Sequence, residues 1–352
     1  MHEILVRAQT EGTPLMAMQY IADGNTATFV WQGKRPPVII GDFTNWEDGP
    51  PQTFTRLSKG LWTCSLTFPV DAYLEYVLIH DGERQPDPFN PRTTPNGFGK
   101  INHYFYMPAG SPTSLIRRDP SIPHGTVTRH AVWTESMDLV IGLQRIVHLY
   151  QPPSDRPVPL VVVWDGSDYL RRARLPVIID NLIAQGRIRP VALAMIQSGG
   201  RARTVEYACS DTTLGFLTQS VLPLARSNLR LTDPQQGNYG VLGASMGGLM
   251  ALYTGMRLPH IFNNVISQSG AFSTEEYEPV VYELIRHTPI KPIKIWMDVG
   301  AYDFPEILSS NHSMVALLQE RGYTVTFRQH NAGHNFPAWR NAVGWGLERL
   351  FG

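Results

Sequence analysis

A serine stands in a glycine-rich turn in the second half of the chain. Residues 243–247 read Gly-Ala-Ser-Met-Gly and fit the G-x-S-x-G pattern, with Ser245 at its centre. A strand-like Tyr-Gly-Val-Leu precedes the turn and a helix-like Gly-Leu-Met-Ala-Leu-Tyr follows it. A nucleophile elbow needs this setting, because its serine must project from a strained turn beside helix amides that favour an oxyanion. We therefore predict that Ser245 is a nucleophile; the alternative is an ordinary serine in a glycine-rich turn.

A nucleophilic serine needs a histidine base, which should follow the last strand of the sheet. The sequence TVTFRQ at 324–329 predicts that strand, and His330 and His334 come after it. His334 follows Gly333 in a loop that could reach back across the sheet, so we predict it as the general base. His330 sits at the strand end, as a neighbour of the site or a bystander.

The acid should lie at the carboxyl end of the preceding strand, where it would fix the imidazole tautomer. The apolar run at 293–299 predicts that strand, and Asp303 falls in the loop after it. Asp298 lies inside the apolar run and Glu306 begins the next helical segment. Asp303 is the predicted acid, with Glu306 left open as an alternative.

Backbone amides should stabilise the developing oxyanion, each being worth about 3 kcal/mol in acyl transfer. One donor is expected from Met246, the residue after the nucleophile. The buried run at 159–164 is followed by a turn with the sequence Asp-Gly-Ser-Asp-Tyr at 165–169, so Ser167 is the predicted second donor. The alternative for this segment is an ordinary strand-to-helix turn.

The elements that must position these groups fall into two regions. Residues 1–110 contain short aromatic and β-branched runs separated by turns, which predicts a β-sandwich of the Ig-like or early-set type. A stretch rich in Pro and Gly at 111–125 is the expected linker. Residues 126–352 alternate apolar runs with helically spaced segments, which predicts an α/β fold with a mostly parallel sheet and helices on both faces. The predicted strands include 159–164, 191–197 and 239–242, and the predicted helices include 175–184, 213–225 and 309–322.

Composition narrows the function class. Lys and Arg total 30 and balance 30 Asp and Glu, so no global basic field favours nucleic acid or a membrane surface. The two cysteines, Cys64 and Cys209, lie far apart and predict neither a disulfide framework nor a zinc site. No apolar run is long enough to span a bilayer. We expect a cytoplasmic protein with no cofactor, no metal, no nucleic-acid partner and no membrane partner. The oligomeric state is open, a homodimer being one alternative.

From about residue 125 to the end, the chain resembles the esterase family that contains the enterochelin esterases, feruloyl and acetylxylan esterases, and mycolyltransferases. The stretches that carry the likeness are WDGSDY (164–169), RARTVEYACS (201–210), GVLGASMGGLMALYTGMRLPHIFNNVISQSGAF (240–272), DVGAYDF (298–304) and NAGHNFPAWRNAV (331–343). The resemblance implies an α/β-hydrolase fold, a Ser245–His334–Asp303 triad and oxyanion donors at Ser167 and Met246. It is strongest toward enterochelin-esterase-like proteins. Ser-Val-Leu-Pro at 220–223 and Ala-Phe-Ser at 271–273 depart from their usual pattern, which puts the siderophore in doubt more than the hydrolysis.

The front region is similar to glycogen-binding-type modules and related early-set sandwiches, through GDFTNW (41–46), GLW (60–62) and DPFNP (87–91). Trp46 and Trp62 are therefore either a sugar-stacking platform, a wall of the cleft, or core residues of a small sandwich. Fold likeness alone does not establish a sugar ligand.

Three functions follow as expectations. The first is hydrolysis of a catecholate siderophore trilactone, whose ferric complex is anionic. Arg201, Arg203 and Trp339 are the predicted substrate contacts, with a second basic cluster at Arg171, Arg172 and Arg174. Each arginine could equally be a solvated residue or part of a structural ion pair. The second function is a feruloyl or acetyl carbohydrate esterase, and the third a non-catalytic binding protein on a hydrolase scaffold.

Overall fold

A computed structural model describes residues 21–97, 99–134, 140–273 and 278–352. Contacts divide the chain into two compact units. The first unit runs to Ser111 and also includes Gly300–Pro305 and His330–Asn335. The second unit holds Pro112–Val299, Glu306–Gln329 and Phe336–Gly352. The two short segments that join the first unit contain the predicted acid and the predicted base.

The first unit is built from antiparallel strands. Its strands are β1 (Ile21–Asp23), β2 (Thr26–Gln32), β3 (Val38–Gly41), β4 (Gln52–Thr53), β5 (Thr55–Ser58), β6 (Leu61–Thr67), β7 (Tyr73–His80), β8 (Glu83–Gln85), β9 (Thr93–Pro95) and β10 (Ile101–Tyr106). One sheet has the order β1-β2-β6-β5. In the other, β7 pairs antiparallel with β3, β8 and β10, and β4 and β9 extend it.

The core of the first unit lies between these sheets. Phe29 on β2 faces Tyr76 on β7 and Phe105 on β10, with ring centroids 5.0 and 5.5 Å apart. All three rings are fully buried. Aromatic and β-branched residues that alternate along short strands fill such a sandwich well, which is the pattern that predicted it.

The second unit is organised on a sheet with the order β11-β12-β14-β13-β15-β16-β17-β18. Its strands are β11 (Thr126–Trp133), β12 (Gln144–Gln151), β13 (Leu160–Val163), β14 (Ala192–Ile196), β15 (Tyr239–Ala244), β16 (Phe262–Gln268), β17 (Lys294–Tyr302) and β18 (Thr324–Gly333). From β14 through β13, β15 and β16 to β17, each adjacent pair of strands is parallel, whereas β12 is antiparallel to both β14 and β11. The terminal residues of β17 and β18 belong to the first unit.

Helices cover both faces of the second sheet. They are α1 (Gly166–Arg171), α2 (Leu175–Ala184), α3 (Arg203–Tyr207), α4 (Asp211–Phe216), α5 (Leu222–Asn228), α6 (Pro234–Gly237), α7 (Met246–Arg257), α8 (Val281–His287), α9 (Pro305–Glu320) and α10 (Phe336–Phe351). Successive residues of β13 alternate between two cores, with Val162 in the cluster of α7, α8 and α9, and Val161 in that of α2 and α10. A strand buried on both faces explains the continuous apolar runs of the sequence. The predicted fold class is confirmed.

The predicted helix 213–225 is interrupted. A π-helical turn at Leu217–Val221 separates α4 from α5, whereas the prediction of 175–184 agrees with α2. Cys64 and Cys209 are both free, and burial raises the pKa of their thiols to about 11 and about 12. In the part of the chain that the structure describes, no helix is long and apolar enough to cross a membrane. The same part holds no cluster of His, Cys, Asp and Glu suited to a metal ion.

Candidate active site

Ser245 occupies a strained turn between a strand and a helix. It is the single residue between β15 and α7, and its backbone has φ 57° and ψ −125°. A non-glycine residue with positive φ in this region is a conformational outlier that persists only when its surroundings enforce it. The Ser245 N–H donates to the carbonyl of Gln268 at 2.9 Å, and its own carbonyl accepts from Ala271 at 3.0 Å. This is the geometry expected of a nucleophile elbow.

Glycines make the tight turn possible. A Cβ at Gly243 would lie 2.1 Å from the carbonyl oxygen of Gly247. A Cβ at Gly248 would lie 2.8 Å from the Ser267 hydroxyl. Because neither position can hold a side chain without moving its neighbours, the strand and helix approach only with glycine there.

The predicted base and acid are hydrogen bonded. His334 Nδ1 lies 2.7 Å from Asp303 Oδ1. The Asp303 side chain is fully buried and the His334 side chain is 15% exposed. The His334 ring also contacts Phe304, with centroids 5.2 Å apart. A buried carboxylate on Nδ1 leaves Nε2 to accept a proton, which is the tautomer a general base needs.

The predicted oxyanion donors both stand at the starts of helices. Met246 is the first residue of α7, and Ser167 is the second residue of α1. Backbone N–H groups in a first helical turn have no intrahelical acceptor and carry the positive end of the helix dipole. Asp165, which precedes α1, has φ 55°, and a Cβ at Gly166 would lie 2.2 Å from the backbone of Met195. The turn of α1 is therefore held tightly against β14.

A buried ion pair links these two turns. Arg203 donates to Asp165 Oδ1 and Oδ2 at 2.7 and 2.6 Å, and to the carbonyl of Ala244 at 3.1 Å. The Asp165 side chain is 3% exposed. Burial raises the pKa of Asp165, while the hydrogen bonds from Arg203 and its charge act in the opposite direction. On the other side, a Cβ at Gly247 would lie 2.9 Å from Asp165 Oδ2. The pair fixes the α1 turn against the residue that precedes Ser245.

This changes the role predicted for Arg203. Arg203 contacts Asp165, the carbonyl of Ala244 and the Tyr207 ring, so its charge is neutralised inside the protein. We therefore remove Arg203 from the substrate contacts and describe it as a structural partner of Asp165. No sequence pattern separates the two possibilities, because the partner lies 38 residues away in the chain.

Trp339 also has a packing role. It is 5% exposed, its ring packs edge-on against Phe336 at 4.9 Å, and its indole N–H donates to Ser269 Oγ at 3.0 Å. A ring this buried cannot serve as a wall for substrate, so it too leaves the predicted contact set. Arg201 is exposed in the 3-10 turn Gly200–Ala202, next to Gly200 in the wall of a cavity.

A polar cavity of about 640 Å³ opens beside Ser167. It is lined by Gln144, Arg145, Ser167, Asp168, Arg171, Arg172, Gln197, Ser198, Gly199 and Gly200. Arg145 is neutralised by a buried ion pair with Glu206. Arg172 lies over the Phe336 ring at 4.4 Å and 3.6 Å from Asp168, while Arg171 is exposed. Of the predicted second basic cluster, Arg171 and Arg172 therefore line the cavity, whereas Arg174 does not.

Two buried carboxylates beside the predicted site residues were not predicted from the sequence. Asp165 lies in the WDGSDY stretch and Asp42 in GDFTNW, but neither suggested a role by its neighbours in the chain. Asp42 is 6% exposed and contacts the turn that contains His334. The signal that could have found both is an acidic residue beside glycine at a strand end, where a buried carboxylate needs donors.

The two tryptophans of the front region are bound within their own unit. Trp46 Nε1 donates to Asp42 Oδ1 at 3.2 Å, and Trp62 Nε1 donates to the carbonyl of Gly33 at 3.0 Å. Both rings are half-buried. Trp62 also packs against the core of its unit, which favours the core-packing alternative for that ring.

The chain belongs to an esterase family. The family model described as "Putative esterase" matches residues 140–348, well over half of the chain. That range includes Ser245, Asp303 and His334, so the class defined by fold and sequence is that of the α/β-hydrolase esterases.

Within that class, the chain is similar to siderophore esterases. It is 28% identical to the iron(III) salmochelin esterase of Escherichia coli O6:H1 (strain CFT073), over 98% of this chain and 92% of the relative. It is 26% identical to the iron(III) enterobactin esterase of Escherichia coli K12, over 55% of this chain. That match spans half of the enterobactin esterase's own length. The crystal structure of ferric enterobactin esterase from Salmonella typhimurium matches with a TM-score of 0.81 and 21% identity, over 98% of each chain, which shows a common fold.

Proposed function

We propose that the protein is a serine ester hydrolase that cleaves the ester bonds of a catecholate siderophore trilactone through an acyl-enzyme. The observation that carries the hydrolase part is the buried Asp303–His334 pair at 2.7 Å together with the elbow conformation of Ser245. Membership of the esterase family and the salmochelin esterase relative support the substrate class.

In the proposed mechanism, Ser245 Oγ attacks the ester carbonyl carbon while His334 Nε2 accepts its proton. Asp303 accepts a hydrogen bond from Nδ1–H and stabilises the imidazolium that forms. The N–H groups of Met246 and Ser167 bind the oxyanion of the tetrahedral intermediate. Collapse expels the alkoxide, which takes the proton from His334. Water then attacks the acyl-enzyme with His334 as base, releasing the carboxylic acid and restoring Ser245.

The substrate part rests on the cavity beside Ser167. A ferric tris-catecholate is an anion, and its binding requires cationic side chains in the wall of the site. Arg171 and Arg172 line a cavity whose volume, about 640 Å³, suits a small-molecule ligand. Iron would enter with the substrate and leave after the trilactone opens. Because the cell would use the released iron, this function implies a cytoplasmic location.

Hydrolysis should be measured in parallel on a ferric catecholate trilactone, a feruloylated oligosaccharide and a short p-nitrophenyl ester. We expect trilactone cleavage to have the highest kcat/KM, and Ser245→Ala to abolish cleavage and labelling by a fluorophosphonate. Preferred cleavage of the feruloyl ester would replace the siderophore by a carbohydrate ester. Fluorophosphonate labelling that survives in Ser245→Ala would refute the nucleophile itself.

The cavity arginines give a second test. Arg171→Gln combined with Arg172→Gln should lower kcat/KM for the ferric trilactone at least about tenfold, since a hydrogen bond to a charged group contributes about 1.5–3 kcal/mol. The neutral p-nitrophenyl ester should be cleaved as before. Arg174→Gln is the matched control, because Arg174 is exposed and is not a lining residue of the cavity. An equal loss on both esters would show that these arginines do not recognise the anion.

A further inference from the structure

Asp42 is a buried carboxylate outside the predicted triad. It begins the short 3-10 helix Asp42–Thr44 directly after β3 and is 6% exposed. Its Oδ2 accepts the backbone N–H of Glu75 at 2.8 Å, and its Oδ1 accepts the indole N–H of Trp46 at 3.2 Å. Oδ2 also faces the side-chain amide of Asn335, at 3.4 Å. Each oxygen of the carboxylate therefore meets a nitrogen donor.

The turn that contains His334 rests on this carboxylate. A Cβ at Gly333 would lie 2.1 Å from Asp42 Cγ, so only glycine allows the backbone to come this close. The N–H of Asn335 donates to the carbonyl of Gly333 at 3.1 Å, which closes the turn around His334. The residues on both sides of His334 thus contact Asp42.

Other contacts of the same unit hold the chain before the turn. Ala332 pairs with Tyr73 at the start of β7, and the Asn331 amide donates to Asp71 Oδ1 at 2.7 Å. The His334 ring is held at its other end by Asp303 and by Phe304. Asp42 contacts the backbone that lies between these two sets of contacts.

Keeping a carboxylate here is unfavourable by itself. Burial raises the pKa of Asp42 well above its usual range, and the nearby Glu75 carboxylate raises it further. The hydrogen bonds from the Glu75 backbone and from Trp46 act in the opposite direction, and Asp303 adds a smaller upward effect. Buried groups with perturbed ionisation cluster at functional sites, where their cost is retained for what they position.

We propose that Asp42 is a positioning residue for the general base, holding the Gly333–Asn335 turn so that the His334 imidazole stays aligned with Asp303. The proposal rests on the proposed function, in that His334 is the base. It assigns the GDFTNW motif of the front region to the hydrolytic site instead of to a glycan.

Asp42→Asn tests the proposal. Both oxygens of Asp42 accept hydrogen bonds from N–H groups, so in either orientation the asparagine NH₂ replaces an acceptor and faces a donor. We expect kcat on the p-nitrophenyl ester to fall about 10- to 100-fold, the scale for a misplaced catalytic group, with KM nearly unchanged. Asp87→Asn is the matched control. Asp87 is also 6% exposed in the first unit, and accepts from the Tyr76 hydroxyl and the Phe89 N–H. It should lower the unfolding midpoint to a similar degree while leaving kcat near the wild-type value.

A double-mutant cycle separates positioning from general destabilisation. If Asp42 acts through the turn, Asp42→Asn and Asn335→Ala should have non-additive effects on kcat. An unchanged kcat in Asp42→Asn, a parallel loss in Asp87→Asn, or a loss confined to KM would overturn the proposal. The His334 ring resonances, assigned by their absence in His334→Gln, give a readout without substrate. Asp42→Asn should shift or broaden them and Asp87→Asn should not, so failure of the proposed ester chemistry would remain distinguishable.

Discussion

The Asp165–Arg203 pair is the part of the site whose loss can be worked out most fully. Arg203→Met removes both hydrogen bonds to a carboxylate that is 3% exposed, and the guanidinium itself is 27% exposed. Removing one partner of a buried pair leaves an uncompensated charge and costs about 3–5 kcal/mol. We therefore expect the free energy of unfolding, from urea denaturation at pH 8, to fall by about this amount.

The same substitution should affect catalysis. Arg203 also donates to the carbonyl of Ala244, immediately before Ser245, at 3.1 Å. Loss of that contact releases the elbow, and kcat on a p-nitrophenyl ester should fall about 10- to 100-fold. The double variant Asp165→Asn with Arg203→Met should be less destabilised than the two single effects added together, because it removes the buried charge as well.

The pH dependence follows from the sign of the Asp165 shift. Burial raises the pKa of Asp165, and the hydrogen bonds from Arg203 lower it. Without Arg203 the folded-state pKa rises further above the unfolded value of about 3.9. Folded Arg203→Met then holds its proton more tightly than the unfolded chain does. Its deficit against wild type is therefore largest above the folded pKa and shrinks as pH falls through it.

Arg230→Met provides the matched control. Arg230 lies 3.6 Å from Asp155 in a pair whose side chains are 61% and 108% exposed. A surface substitution of this kind should change stability by less than about 0.5 kcal/mol and leave kcat unchanged. A deficit in Arg203→Met as small as that of Arg230→Met would refute the account of a buried and mutually dependent pair. So would a deficit that stays constant as the pH is lowered from 8 to the unfolded-state pKa of about 3.9.

Three further changes have defined outcomes. Asp303→Asn should lower kcat by about three to four orders of magnitude with an unchanged circular dichroism spectrum, because the imidazole tautomer is no longer fixed; a loss under about tenfold would contradict this. Gly243→Ala should abolish fluorophosphonate labelling and lower the melting temperature, since its Cβ would lie 2.1 Å from a backbone oxygen; normal labelling would contradict the close approach. The pKa of His148 is lowered, mainly by burial and then by the charges of Arg129, Arg171 and His130. Because the unfolded chain then binds a proton more readily than the folded one, stability should decline as pH falls below about 6.5. His148→Gln should flatten that decline in urea melts between pH 7 and pH 5, and an unaltered slope would show that His148 is not its source.

Elements that are determined by neighbouring residues could be predicted from the sequence. A strand, a tight glycine turn and a helix are each encoded by neighbouring residues, so the Ser245 elbow was predictable from 239–253 alone. The same holds for β13 and β14, whose apolar runs are long and uninterrupted. Roles that depend on a distant partner were not predictable. In the sequence, Arg203 and Trp339 look like residues that could contact a substrate. Only the folded chain brings Asp165 next to Arg203 and Ser269 next to Trp339.

The predicted acid and base follow the ends of β17 and β18, two strands that the sequence predicted too short. The apolar runs end at Val299 and Gln329, but the strands continue to Tyr302 and Gly333. The extra residues include glycine and polar side chains, which carry no strand signal. The two strands can approach here because Gly300 has no side chain. A Cβ at that position would lie 2.1 Å from the carbonyl oxygen of Ala332. Asp303 and His334 thus each follow directly from a strand end, and this backbone contact, together with Asp42, sets how rigidly the imidazole is held.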